Sequence, residues 1–124
     1  MELIDKLGIT KETKRFLIIN PPGNFLYKLG ELHDDVQFLG FEDNSMDFSF
    51  SFLTTRNELE ELFPLLKYKI KKSGIIWIAW PKEDADMETN LVEDFVRQTG
   101  IQAGLNDVRL LSYDRRWLAV KFIW

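Results

Sequence analysis

Apolar and polar positions follow two patterns along the chain, one typical of strands and one typical of helices. Residues 16–20 and residues 75–80 are almost uninterrupted apolar runs, which are typical of parallel strands buried on both faces of a sheet. Residues 47–53 instead alternate phenylalanine with serine or aspartate, which is the period of a strand with one apolar face. Three more strands are predicted over residues 36–41, 108–113 and 117–124.

Between these strands, apolar residues recur at helical spacing. They do so over residues 25–32, and again in the longest predicted helix, which begins at Thr55. Thr55 and Glu58 match the T-x-x-E pattern of a capping box. Ser73-Gly74 is expected to end this helix, because glycine often follows the last helical residue.

A further helix and a short N-terminal segment complete the predicted elements. The further helix starts at Asn90, with Asn90 and Glu93 as a cap pair, and Gly100 is expected to stop it. Residues 1–15 are predicted to form a short helical extension that ends at Gly8.

The order of these elements predicts an α/β fold with a three-layer α/β/α arrangement around a mostly parallel, six-stranded sheet. Residues 114–116 are short enough to join the last two strands as an antiparallel hairpin. Residues 42–46 are too short for a parallel crossover helix, so either the second and third strands are not neighbours or a loop crosses one end of the sheet. We expect residues 1–124 to form a single domain.

The composition excludes several classes of function. The 124 residues include no cysteine, which removes disulfides, thiolate metal sites and a cysteine nucleophile. His33 is the only histidine, and no carboxylate spacing indicates an acid–base pair, so we predict neither a catalytic residue nor a metal site. The net charge is −4 without a basic stripe, so we expect no nucleic-acid partner. We see neither a signal peptide nor an apolar run of about 20 residues, and therefore expect a cytoplasmic protein that makes no membrane contact.

Polar residues follow several predicted strands at the place where open α/β sheets bind ligands. That place is the carboxyl ends of the strands, near the switch in strand order. An amide, two hydroxyls, a guanidinium, an indole and an ammonium gathered there could hold a small anion or a nucleotide. The candidate residues are Asn20, Thr54, Thr55, Arg56, Trp80 and Lys82.

Most of these candidates also have a purely structural alternative. Asn20 and Thr55 are residue types that cap helices. Arg56 would be a solvated residue of a first helical turn, and Lys82 would pair with one of the acidic residues that follow it. The sequence leaves these alternatives open beside the ligand site.

Several short motifs resemble those of methyltransferase-like proteins. Lys71-Lys72-Ser73-Gly74 is similar to the Lys-Pro-Gly-Gly turn of class I S-adenosylmethionine-dependent methyltransferases. The whole chain more closely resembles a family of short bacterial proteins of unknown function with a truncated methyltransferase-like Rossmann fold. The motifs that carry this resemblance are Asn20-Pro21-Pro22-Gly23-Asn24-Phe25, Thr54-Thr55-Arg56-Asn57-Glu58-Leu59, Trp80-Pro81-Lys82, Thr89-Asn90-Leu91 with Asp94 and Val96-Arg97, and Asp114 through Trp117 with Leu118-Ala119-Val120-Lys121-Phe122.

The resemblance implies a strand order of 2-1-3-4-6-5, with the last-added strand antiparallel. In the methyltransferases the turn after the first strand is glycine-rich and lies against the cofactor, and Gly23 and Asn24 lie in the matching turn here. The two prolines of this turn offer no amide donor to a cofactor's carboxylate or phosphate. The acidic ribose ligand after the second strand would be Glu42 or Asp43. The third strand of the full methyltransferases, with its preceding helix, has no counterpart, so we expect no cofactor, with S-adenosylmethionine as the alternative.

Three functions agree with these observations, and we favour the first. It is a degenerate methyltransferase-like domain that serves as a binding or interaction module without catalysis. Its aromatic-rich last strand, residues 117–124, predicts a homo-oligomer through the C-terminal edge, because an exposed strand of this kind would aggregate. The second is an S-adenosylmethionine-dependent methyltransferase with an atypical first loop. The third is a nucleotide-binding regulator of a partner protein.

Overall fold

The computed structural model describes residues 2–124, and Met1, the first residue of the predicted N-terminal extension, lies outside the described residues. Within that range the chain forms six strands and four helices. In chain order they are α1 (Leu3–Lys6), β1 (Arg15–Ile19), α2 (Phe25–Leu29), β2 (Gln37–Phe38), β3 (Met46–Phe52), α3 (Arg56–Lys69), β4 (Ile70–Pro81), α4 (Glu93–Gln102), β5 (Asn106–Ser112) and β6 (Trp117–Ile123). No helix of the described part is long and apolar enough to cross a membrane.

All six strands join one mixed sheet in the order β2-β1-β3-β4-β6-β5. β1 is parallel to both β2 and β3, and β3 is parallel to β4. β6 is antiparallel to its neighbours β4 and β5, as a hairpin with β5 requires. The predicted fold class and strand order are therefore confirmed, including the antiparallel C-terminal pair.

β1 separates β2 from β3, and the segment that links these two parallel strands, residues 39–45, contains no helix. β2 is shorter than predicted and pairs only with Arg15 and Phe16, at the start of β1. It therefore ends close to the edge of the sheet at which β3 begins, and the intervening loop is long enough to connect them. The strands are not neighbours, and the loop also crosses the end of the sheet where β1 starts, because the Arg15 guanidinium donates to the carbonyls of Asn44 and Ser45. Both alternatives that the sequence left open therefore hold.

The two faces of the sheet carry different cores. Phe48, Phe50 and Phe52 of β3 lie on one face with the partly buried side chains of α1 and the buried side chains of α2, as the period-two pattern predicts. The other face packs against α3 and α4. There β3 presents Ser49 and Ser51, whose hydroxyls are buried and have no hydrogen-bond partner within residues 2–124.

Replacing Ser51 with alanine should therefore raise the free energy of unfolding, by about 1 kcal/mol. A buried hydroxyl without a partner loses its hydration on folding and gains no bond in return. Urea denaturation followed by far-UV circular dichroism measures the change. The matched control is Ser73→Ala, at an exposed position, which should change stability by less than about 0.5 kcal/mol. A loss of stability in Ser51→Ala would mean that the hydroxyl has a partner.

β4 begins earlier than predicted. Ile70 follows α3 directly and pairs with Met46 at the start of β3, and its side chain is buried. Residues 71–74 then shift the register between the two strands. Ser73-Gly74 therefore lies inside β4 and does not end α3, so this prediction was wrong. Because Ile70 pairs with β3 and is buried, α3 ends before the glycine.

Both ends of α4 also differ from the prediction. Asn90 does not cap α4, because its side-chain oxygen accepts a hydrogen bond (2.8 Å) from the backbone N–H of Arg56, at the start of α3. Val92 takes the N-cap position of α4 without a side-chain bond. Gly100 lies buried inside the helix, and Gly104, with a φ of +90°, lies just beyond its end. The predicted stop at Gly100 was therefore wrong.

Candidate functional site

The carboxyl ends of β1, β3 and β4 lie side by side, and most of the predicted site residues fall on the segments that follow them. We call this region the carboxyl edge. It comprises residues 20–25 after β1, residues 53–56 between β3 and α3, and Lys82 after β4. Each segment has its own local structure.

The turn after β1 is open to solvent. Asn20 has a φ of +53°, a left-handed conformation that asparagine adopts more readily than most residues. Its exposed side chain forms no hydrogen bond within residues 2–124, so Asn20 does not cap α2. Pro21 and Pro22 precede the helix and provide no N–H donor. A Cβ added at Gly23 would meet no atom within 4 Å, so space alone does not require a glycine there.

The N-cap of α2 is Asn24, which forms no side-chain bond to the helix. In the described part of the chain, the backbone amides of Gly23 and Asn24 donate to no protein acceptor. These two N–H groups are the donors that the turn still presents to solvent.

The hydroxyls at the end of β3 bind a side chain of their own chain. The Glu58 carboxylate accepts from the backbone N–H groups of Thr54 and Thr55 (3.1 and 3.0 Å) and from both threonine hydroxyls. The Thr55 hydroxyl also accepts from the Glu58 N–H, which completes the predicted capping box. The structural alternative for Thr55 is therefore confirmed.

Burial acts to raise the pKa of Glu58, but the hydrogen bonds from Thr54 and Thr55 outweigh it and hold the pKa below its ordinary value. A folded-state pKa below that of the unfolded chain means that the carboxylate stabilises the fold above the unfolded value. The contribution is lost as the pH falls through the folded-state pKa. Glu58 is thus an ionised part of the fold at neutral pH.

Arg56 is held by the segment that precedes α4. Its Nε donates to the backbone carbonyl of Asn90 (2.9 Å), and its guanidinium lies over the ring of Phe95, 4.4 Å from the centroid. The Thr89 hydroxyl and the Asn90 N–H both donate to the carbonyl of Thr54. Sequence inspection missed this role of residues 89–90, because Asn90 was assigned to the cap of its own helix.

Lys82 and Trp80 also face the protein. The Lys82 ammonium donates to the hydroxyl of Ser112 (2.6 Å), and the Lys82 backbone N–H donates to the carbonyl of Arg116. Lys82 therefore contacts the β5–β6 hairpin, and neither predicted acidic partner forms an ion pair with it within residues 2–124. Trp80 is 3% exposed and packs in the core between the sheet and α3 and α4.

The two acidic residues after β2 lie in a loop that contacts the far end of α3. The carbonyl of Asp43 accepts from Lys69, in the last turn of α3 (3.1 Å), and Thr55 caps the opposite end. The helix spans 14 residues, or about 20 Å. The Asp43 carboxylate accepts from the backbone N–H of Gly40. Glu42 is exposed beside Gly40.

Four of the predicted site residues, Asn20, Gly23, Thr54 and Thr55, line three separate open cavities. One of about 350 Å³ is lined by Pro21, Pro22, Gly23, Leu26 and Phe38, on the α2 face of the sheet. A second, of about 330 Å³, contains Asn20 and lies on the α3 face. A third, of about 570 Å³, contains Thr54, Thr55 and residues 87–90. Within residues 2–124, no cluster of three or more histidine and carboxylate side chains could hold a metal ion.

The fold is similar to that of several solved SAM-dependent methyltransferases. A SAM-dependent methyltransferase from Aquifex aeolicus superposes with a TM-score of 0.65 at 16% identity, over 98% of this chain and 88% of that one. A TehB-like SAM-dependent methyltransferase from Corynebacterium glutamicum gives 0.64 at 14% identity, over 98% and 84%. The Methanococcus jannaschii fibrillarin pre-rRNA processing protein gives 0.57 at 12% identity, over 92% and 68%. No protein-family model and no curated sequence matches the chain. The resemblance to the methyltransferase fold is thus confirmed, and the resemblance to the short bacterial family stays a prediction.

Proposed function

We propose that this chain is a degenerate methyltransferase-like domain that binds a partner and does not catalyse methyl transfer. One observation carries the proposal: the polar side chains that follow β3 and β4 at the carboxyl edge are hydrogen-bonded within the protein. Glu58 holds Thr54 and Thr55, Asn90 holds Arg56, and Ser112 accepts from Lys82. A ligand that used these groups would first have to displace bonds that cap α3 and fix the hairpin.

The donor set after β1 supports the same proposal. A cofactor carboxylate or phosphate at this turn needs backbone N–H donors, and two successive positions are prolines, which have none. The Asp43 carboxylate, one candidate ribose ligand, is bonded to the Gly40 amide. The residues present therefore do not form the full set of contacts that S-adenosylmethionine would need.

One observation favours the second candidate function, a SAM-dependent methyltransferase with an atypical first loop. The amides of Gly23 and Asn24 point to no protein acceptor in residues 2–124, so two donors remain for an anionic group. Two of the neighbours of known structure are themselves named as SAM-dependent methyltransferases.

Isothermal titration of the protein with S-adenosylmethionine and with S-adenosylhomocysteine tests the proposal. We expect no saturable binding, corresponding to dissociation constants weaker than about 1 mM. An active methyltransferase, titrated with the same solutions, is the control for the ligands. Binding at micromolar affinity to the wild-type chain would overturn the proposal in favour of the second candidate.

A Pro21→Gly, Pro22→Gly double variant refines this titration. It restores two backbone N–H donors to the turn and leaves the bonds of Thr54, Thr55, Arg56 and Lys82 in place. If the whole edge is unsuited to the cofactor, as proposed, the double variant does not bind either. Binding to the variant alone would assign the loss to the two prolines.

The homo-oligomer expected through the C-terminal edge would use β5. β6 is paired on both sides, with β4 and β5, so the aromatic-rich last strand is interior to the sheet and β5 is the outer strand. Val108 and Leu110 of β5 are exposed. The register shift between Asp107 and Arg109 makes this edge irregular, which disfavours edge-to-edge pairing. The opposite side of the sheet therefore offers the stronger case for an interaction surface.

A further inference from the structure

The α3 face of the sheet has an apolar groove beside β2. Its walls are Ile19 at the end of β1, Phe41 after β2, Leu53 after β3, and Glu61 and Leu65 of α3, and it encloses about 330 Å³. Phe41 is 48% exposed and Leu65 is 51% exposed. We call this region the β2-side groove.

The groove exists because the helical layer on this face is incomplete. α3 and α4 pack over β3, β4 and β6, so Ser51 of β3 and Ile78 of β4 are fully buried. Toward β1 and β2 this cover becomes incomplete, since Leu17 of β1 is still buried but Ile19 and Leu39 are only partly buried. A sheet in a three-layer fold buries its apolar faces under helices. The space beside α3 therefore has the position and the apolar surface of a helix site.

The charges around the groove select the kind of helix that fits. Glu61 lines the groove together with Glu58, whose carboxylate is hydrogen-bonded to Thr54 and Thr55, and Glu42 follows Phe41 directly. Within residues 2–124, none of these three carboxylates forms an ion pair. Lys69, in the last turn of α3, donates instead to the carbonyls of Phe41 and Asp43. The rim is therefore acidic, and a complementary partner is basic.

A second copy of this chain fits the groove poorly. A two-fold interface at this groove would bring the same patch of each copy together, and with it Glu58 and Glu61 of both. Like charges placed against each other oppose such an interface. The occupant that satisfies both the apolar walls and the acidic rim is a basic chain from another protein.

We propose that the β2-side groove binds an amphipathic helix of a partner protein, with apolar side chains against Phe41 and Leu65 and lysine or arginine toward Glu61. This proposal rests on the proposed function and names the partner that it leaves open. Apolar anchors one helical turn apart enter such grooves, and cationic residues flank them.

The test uses a fluorescein-labelled synthetic helix of leucine and lysine, with the leucines on one face, and measures its anisotropy with the intact protein. A peptide of the same composition, with the leucines distributed around the helix, is the control for charge alone. We expect the patterned peptide to bind at least tenfold more tightly than the control. We also expect its binding to weaken as salt is added, because the rim contacts are ionic.

Variants locate the binding. Leu65→Ser and Phe41→Ser should each raise the dissociation constant of the patterned peptide about tenfold, because each removes an apolar wall. Val108→Ser is the matched control, since Val108 is 48% exposed on the opposite edge of the sheet, and it should leave binding unchanged. Circular dichroism verifies that each variant is folded. Equal binding of the two peptides, or an equal effect of all three variants, would overturn the proposal.

Light scattering and the cofactor titration separate the remaining outcomes. A dimer of the wild-type chain that Leu65→Ser dissociates would overturn the proposal, because the groove would then be a self-interface. If no peptide binds and S-adenosylmethionine does not bind either, only the partner assignment fails. If S-adenosylmethionine binds at micromolar affinity, the proposed function fails whatever the peptides do.

Discussion

Replacing Phe50 with alanine should lower the free energy of unfolding by about 3–5 kcal/mol, the range found for large aromatic side chains in cores. Phe50 is 0% exposed and lies at the centre of the aromatic face of β3. Its ring centroid is 4.6 Å from that of Phe52, 5.5 Å from Tyr113, 5.6 Å from Phe25 and 6.1 Å from Trp77. Alanine would leave a cavity among these rings that the rigid sheet cannot close. Equilibrium urea denaturation measures the loss.

The matched control is Phe38→Ala, which removes the same ring from β2, where it is 51% exposed. This variant should cost no more than about 1.5 kcal/mol, because about half of the side chain remains exposed to water in the folded protein. If alanine at position 50 abolishes folding, Phe50→Leu keeps the comparison measurable, at an expected cost below about 1.5 kcal/mol. Equal costs for Phe50→Ala and Phe38→Ala would contradict the packing described for this face.

The alternation of residues 47–53 predicted β3 from sequence because it reports a local property. Phe48, Phe50 and Phe52 can share one apolar face only if the backbone is extended. The order of the strands is a different kind of information. No period in the sequence specifies which strand neighbours β1, and the prediction of β2-β1-β3-β4-β6-β5 depended on the family resemblance. The sheet confirms both.

The ends of the helices and strands were predicted less well than the elements themselves, because contacts between residues distant in sequence determine where an element ends. Ser73-Gly74 is an ordinary stop signal for a helix, yet α3 ends at Lys69 because Ile70 pairs with Met46. Local propensity at Ser73-Gly74 carries no information about Met46. The strand pairing therefore overrides a signal that would otherwise be sound.

The location of the candidate site could be predicted from the rule that open α/β sheets bind ligands at the carboxyl ends of their strands. The hydrogen-bond partners of its side chains could not be predicted. The carboxyl ends of β1, β3 and β4 do lie together, as parallel strands require. The partner of Arg56 is Asn90, 34 positions away, and that of Lys82 is Ser112, 30 positions away. Only Glu58 was foreseeable, because a capping box has a fixed spacing.

Gly100→Ala should lower the free energy of unfolding by about 2 kcal/mol, although alanine is the better helix former. A Cβ at this position would lie 2.1 Å from Cε1 of Phe122, so the ring would have to move. Phe122 is fully buried and packs edge to face on Phe63, 5.0 Å between centroids, which leaves it little room. Overpacking of this kind costs about 1–3 kcal/mol or more, against a gain of about 1 kcal/mol in helix propensity. Thermal and urea denaturation measure the balance.

A double-mutant cycle identifies the cause of the loss. Phe122→Leu removes the ring that obstructs the new methyl group. In that background Gly100→Ala should therefore lower the free energy of unfolding by about 1 kcal/mol less, or better, than it does in the wild type. Gly23→Ala is the matched control, because a Cβ there meets nothing within 4 Å, and it should leave stability unchanged or raise it by up to about 1 kcal/mol. Additive effects of the substitutions at positions 100 and 122 would contradict the contact. In that case the backbone of α4, and not the close packing of α4 on Phe122 of β6, would explain why a glycine lies inside this helix.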